Sequence, residues 1–314
     1  MAARKTAAAC AVAALLCAAV APACAQEDTK PALAAGVKPF AKDASWALRL
    51  PKKDKVIYKG IASFDDAGSG AGAMMYPAPN PAGFLVAVLA HGLLVGSAKD
   101  AQKTKLQQEA DQVLVPYRPV LDDYLQQDLM QRGLQLVSTG GARKLVDASA
   151  TPASEWLVDS TPVFSLTKDQ STVVLENVVS IYAPDLPAAP AYQNVIRVVS
   201  QPKADADLVG FWSANQGEKL KAESAGLLAQ SLDIALAEVS AQAAQPAPAR
   251  TYRYQEGAVE RMERGQLVSE RCGRAVIRTL RGWLMSIPSK RPAEEGCAPA
   301  TAQGVNAPAA ATGS

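Results

Sequence analysis

One histidine, His91, serves the whole chain of 314 residues, and this limits the available chemistry at once. A Ser-His-Asp triad can use no other base, and a metal site built from several histidines is excluded. Because its neighbours Ala90, Gly92, Leu93 and Leu94 are apolar, His91 reads as a side chain held in a core or helix contact. Ser200-Gln201-Pro202-Lys203 has the S-x-x-K spacing of a serine nucleophile and its lysine, a pair that works from one helix face. Pro202 breaks such a helix, and although Ser213-Ala214-Asn215 fits the companion S-x-N pattern, nothing supplies a K-T-G partner. Gly68-Ser69-Gly70-Ala71-Gly72-Ala73 matches G-x-G-x-x-A. A dinucleotide site needs a helix to start there at once and a ribose-binding acid about 20 residues on. Pro77, Pro79 and Pro81 forbid the helix, and no acid occurs between Asp66 and Asp100. Carboxylates remain, such as Asp65 and Asp66 after the first strand. Two carboxyl groups in a cleft, about 5–10 Å apart, can run glycoside chemistry.

The cysteines point to a compartment. Arg4 and Lys5 precede an uncharged apolar run through Leu15, Leu16 and Val20, which ends at Ala23-Cys24-Ala25. That is the order of a cleavable export signal, with Gln26 as the first mature residue. Cys24 opens a lipoprotein variant in which it becomes the acylated first residue, although Ala21 stands where such signals carry Leu. Removing the signal leaves Cys272 and Cys297, and an even pair in an exported chain predicts a disulfide. The loop it closes, about 25 residues, would restrict the unfolded chain by about 3 kcal/mol. Neither cysteine has the C-x-x-C spacing of a redox or zinc site.

Lys and Arg number 32 against 30 Asp and Glu, so charge is informative only where it is local. It concentrates from Arg250 to Arg291, where ten cations, including Arg274, Arg278 and Arg281, meet Glu256, Glu260, Glu263 and Glu270. On a solvated sheet face these pair across strands. As a cluster they would instead meet phosphates of an anionic envelope component. Export makes nucleic acid a poor target. Gly92 and Gly96 form a G-x-x-x-G pair in an apolar run, and small residues on one face let two helices approach closely. That run fits a core helix, a contact with a partner or second copy, or membrane insertion.

The elements that must carry these residues follow from patterning. Residues 26–45 read as a flexible leader. VIYKGIASF at 56–64 reads as a strand. No charge occurs from Ala67 to Ala98, and one long helix from about Pro81 to Val115 is the simplest account, apolar at first and amphipathic later. Pro116 and Pro119 break it, and a second amphipathic helix carries Leu121, Tyr124, Leu125 and Leu129 to an end at Gly133. Strands are expected at 134–138, 163–167, 171–183 and 194–200. The repeat of Leu228, Leu232, Ala235, Leu236 and Val239 predicts an amphipathic helix. From Arg250 to Pro288 the chain is strand-like, with Gly257, Gly265 and Gly282 as turns or bulges. Residues 291–314 read as a disordered tail.

IASFDDAG at 61–68, GLQLV at 133–137, the pair 173–182 and 194–200, and LLAQSLDIALAEV at 227–239 appear in an order that resembles the envelope superfamily containing the TolB N-terminal domain and the CsgG-like lipoproteins. The resemblance implies assembly or partner binding in the envelope and no catalysis. The uncharged helix at Gly83 departs from that family's amphipathic one.

Together these readings predict an α+β fold, with a body at 46–245 and an arginine-rich antiparallel β extension at 246–290. Its mixed sheet is packed by the long helix and a second amphipathic helix. The expected function is a non-catalytic periplasmic or outer-membrane-associated protein, without a cofactor or metal, that binds an envelope protein or anionic component through Gly92 and Gly96 or Arg274, Arg278 and Arg281. A carboxylate-dependent periplasmic hydrolase is the alternative.

Overall fold

The computed structural model describes residues 37–62, 98–151, 154–184, 186, 189–240 and 247–289. Val173–Tyr182 (β5) and Tyr192–Val199 (β6) are β-branched on both faces and almost wholly buried, the pattern of strands at the middle of a sheet. They pair antiparallel with each other, and β5 pairs antiparallel with Trp156–Leu166 (β4). On the other edge of β4, Trp46–Arg49 (β1) and Ile57–Gly60 (β2) lie end to end and parallel to it, and Arg143–Val146 (β3) pairs parallel with β1.

Beyond β6 the sheet continues without a break. Leu284–Pro288 (β10) runs parallel to β6, followed antiparallel by Arg274–Thr279 (β9), Val259–Arg271 (β8) and Arg250–Glu256 (β7). The arginine-rich strands expected as an extension are thus four strands of one mixed ten-stranded sheet, and the class is α+β.

Helices cover one face. Ala98–Ala110 (α1) passes through a 3-10 segment, Asp111–Tyr117, into Arg118–Leu121 (α2), followed by Gln126–Leu136 (α3) and Leu208–Ser240 (α4). Helix α4 breaks at 214–217, where Asn215, Gln216 and Gly217 take positive φ. Trp212, Leu220, Leu228, Leu232 and Leu236 of α4 meet Phe164, Leu175, Val179, Ile196 and Val198 in the main core. Asn177 pins the two layers: its Nδ2 donates to Ser231 Oγ at 2.8 Å, and its Oδ1 accepts from Ser160 Oγ at 2.9 Å.

Three local expectations are corrected. LQLVS at 134–138 is not a strand, because α3 runs on to Leu136 and buries Leu129, Met130 and Leu134. Gly133 does not end a helix; a Cβ there would lie 2.8 Å from Leu228 Cδ2, so the glycine makes room for the α4 side chain packed against it. Pro116 does not end the first helix either, since the chain tightens to 3-10 geometry around it. Pro119, near the start of α2, needs no backbone donor.

The other face is concave, because the β7–β8 hairpin folds back across it. The hairpin's tip is tied down where β5 begins. Gly257, with φ of +65°, donates its N–H to Thr172 Oγ1 at 3.0 Å, and the Asp169 carboxylate accepts from the Ala258 amide. Asp169 also accepts from Thr167 Oγ1 at 2.6 Å and from Ser171 Oγ at 3.0 Å. These hydrogen bonds hold the Asp169 carboxyl below its ordinary range despite the opposing effect of burial. No helix among the described residues is long and apolar enough to cross a membrane.

Candidate functional site

On the concave face, β5 and β6 each carry one charged residue inside an otherwise uncharged strand, Glu176 and Arg197, and the register sets them directly opposite each other. Their side chains are 1% and 4% exposed. Burying charges so deeply is costly unless they are paired and hydrogen-bonded, and here both conditions are met. Arg197 donates to Glu176 Oε1 at 3.2 Å and to Glu256 Oε2 at the end of β7. Lys59 of β2 lies 3.5 Å from Glu176 Oε2, and Arg261 of β8 lies 3.7 Å from Glu256 Oε1.

Five side chains from five strands therefore share one network, and the hairpin that closes the concavity supplies two of them. Burial works against the Arg197 charge, but Glu256, Tyr254 and Glu176 outweigh it and raise its pKa. Burial pushes the neighbouring Tyr254 hydroxyl up to about 12.

Arg197, Glu256 and Arg261 of this network line a cavity of about 350 Å³. Among the described residues, Tyr254, Trp283, Leu284 and Met285 give it apolar surface, with Ile61 and Ala62 beside them. Arg197, Arg261, Arg281, Glu256, Glu260 and Glu263 give it charge. Arg281 lies 5.9 Å from the centre of the Trp283 ring. Glu263 is pushed up by burial, against the opposing fields of Arg281 and Arg197. Glu260 is paired outward with Arg253 at 3.1 Å.

The carboxylates of the cavity are thus neighbours of arginine. Glu256, paired with Arg197 and Arg261, serves as their counter-ion. A second, shallow cavity of about 430 Å³ lies between α3 and β3 and is lined by Gln127, Gln131, Leu134, Gln135 and Leu145, with Asp147 as its one charged residue among the described ones.

The three arginines singled out in the sequence separate. Arg274 turns inward, donating to Val199 O at 2.7 Å and to Ser286 Oγ at 3.0 Å, and burial pushes its pKa down to about 10 against the field of Glu223. Arg278 is clamped to Glu238 of α4 at 2.5 Å with both side chains largely buried. Arg281 alone is exposed, at the cavity rim. Cys272 is disulfide-bonded; its partner falls outside the described residues, as do Cys24 and Cys297. Gly92, Gly96, His91, Asp65, Asp66 and the helix expected from Gly83 to Ala98 also lie outside them, except for Ala98, where α1 starts. Among the described residues, no three His, Cys, Asp or Glu side chains come together as metal ligands.

Lys59, Glu176 and Arg197 were missed in the sequence because each stands alone in its strand. The available signal was a single charge in each of two β-branched runs, which only antiparallel pairing turns into an ion pair. No family model, curated protein or solved structure matches the chain.

Proposed function

We propose that this chain is a non-catalytic protein of the bacterial cell envelope that binds a protein or another envelope component, with an element order like that of the TolB N-terminal and CsgG-like proteins. The observation that carries this reading is the disposition of charge on the concave face. Among the described residues, Glu176 and Glu256 are paired with Lys59, Arg197 and Arg261, which makes this face a polar, aromatic-edged surface suited to contact with a partner. A disulfide at Cys272 accords with an oxidising compartment.

Osmotic-shock fractionation, with mass spectrometry of the mature N-terminus, tests the location. A chain beginning at Gln26 is the soluble periplasmic form, an acylated Cys24 is the tethered form, and an unprocessed cytoplasmic chain refutes the reading. Photo-crosslinking in intact cells from position 281 or 262 tests binding. Adducts to one envelope component are expected, and they should be lost when the concave face is altered.

The hydrolase alternative draws on Glu263, whose raised pKa in a cavity suits a general acid. Turnover of a glycan substrate that disappears in Glu263→Gln would replace the binding reading with that one.

A further inference from the structure

We propose that the outer edge of β3 is a contact between two copies of this chain, paired antiparallel about Leu145. β3 is one end of the sheet, with β1 on its inner side. Trp46 N–H donates to Ala142 O and Leu50 N–H to Val146 O, both at 3.0 Å. Backbone groups alternate along a parallel strand, so Lys144 also faces β1, and the N–H and C=O groups of Arg143 and Leu145 point away from the sheet. Among the described residues nothing bonds to them. A row of free backbone groups at a sheet edge is a template for another strand.

Charge selects the occupant. Arg143 and Leu145 share one face of β3, and Asp147, directly after the strand, continues their spacing. Asp147 and Leu145 line the same shallow cavity. Among the described residues, neither Arg143 nor Asp147 has an ion-pair partner, whereas Lys144, on the opposite face, is paired with Glu155 at 2.6 Å. A free cation and a free acid thus stand at equal distances on either side of Leu145. A second copy laid antiparallel, Leu145 against Leu145, sets each Arg143 directly across from the other copy's Asp147, twice by symmetry. The edge is complementary to itself.

Helix α3 adds to this complementarity. Gln127, Gln131 and Gln135 recur every four residues along the same cavity, all exposed. Each amide both donates and accepts, so the stripe can bond to an identical one, and the twofold axis puts both α3 helices on the same side of the joined sheet. The charged residues of that helix are occupied, Arg132 pairing with Asp128 at 2.9 Å and with Glu218 at 2.6 Å. A contact built on one short strand is smaller than a permanent interface, so a weak dimer in the micromolar range follows. The joint uses none of the residues of the concave face and can fail without the partner-binding reading.

Sedimentation velocity of the purified full chain, at about 1–200 μM, is the test. A monomer–dimer equilibrium is expected. Arg143→Asp or Asp147→Arg sets like charges across the joint twice and should weaken dimerisation at least about tenfold. Both substitutions in one chain, or the two single variants mixed in equal amounts, restore opposite charges and should recover dimerisation to within about threefold. Recovery in the mixture cannot come from a misfolded chain. A parent chain that stays monomeric overturns the proposal and leaves the edge to a strand of another protein. A dimer indifferent to both charge reversals, or a failure of both restored pairings, overturns it as well.

Discussion

Removing the Arg197 guanidinium by Arg197→Met keeps the length of the side chain and strands two carboxylates. Glu176 and Glu256 are 1% and 4% exposed, and breaking a buried pair by deleting one partner costs about 3–5 kcal/mol. Lys59 at 3.5 Å and Arg261 at 3.7 Å still face those carboxylates, which places the loss near the lower bound, about 3 kcal/mol. For a domain of this size that lowers the melting temperature by about 6–12 °C.

The triple replacement Glu176→Leu, Arg197→Met and Glu256→Leu removes the stranded charge together with its desolvation. It should recover most of the loss or exceed the parent, since apolar replacement of a whole buried network is often neutral or stabilising. Lys59 and Arg261 are 14% and 30% exposed and can turn to water. Urea and thermal unfolding followed by circular dichroism read both variants. A single variant within about 1 kcal/mol of the parent, or a triple variant less stable than the single one, would refute the view that these charges depend on one another.

Three further outcomes are expected. Asp169 has a lowered folded pKa, so its contribution is present above its unfolded pKa of about 3.9 and lost as pH falls through the folded value. Asp169→Asn should therefore cost about 1 kcal/mol at neutral pH, discounted because Asp169 is exposed. The difference from the parent should close below about pH 4 in urea titrations; a constant difference would contradict it. Gly60→Ala places a Cβ 2.0 Å from the Ala110 carbonyl oxygen, a clash with backbone that should cost about 3 kcal/mol or more. Normal soluble yield and an unchanged melting temperature would contradict that packing. Asn177→Ala removes the bonds to Ser160 and Ser231 between sheet and helix and should cost about 2 kcal/mol in the same urea assay; a neutral result would show that the polar pin is dispensable.

Elements were legible in the sequence where burial imposes an unbroken pattern. β5 and β6 announce themselves because both of their faces are covered, so most positions are apolar or β-branched. Helix α4 does so from Leu227 onward through a single apolar stripe. Its first turns, from Leu208 to Ser213, were not read, since the break at 214–217 interrupts the period. β1 and β3, each of four residues, are too short to show a period, and they exist because they pair with each other and with β4. Gly133 was misread as a terminator because a glycine demanded by a neighbouring helix looks the same in sequence as one demanded by a turn.

Composition and local pattern by themselves determined the α+β class, the exclusion of multi-histidine metal sites and histidine-based triads beyond His91, and the arginine richness of the last strands. These properties reside in single residues and short periods. Tertiary structure alone decided what those arginines do. Arg274 and Arg278 are drawn into internal bonds with Val199, Ser286 and Glu238, whereas Arg281 is left at a cavity rim. The sheet register joined Glu176 to Arg197, and the fold-back of the β7–β8 hairpin brought in Glu256 and Arg261. A buried charge is stable only in the company of another, and that company comes from strands distant in sequence, assembled by the curl of the sheet.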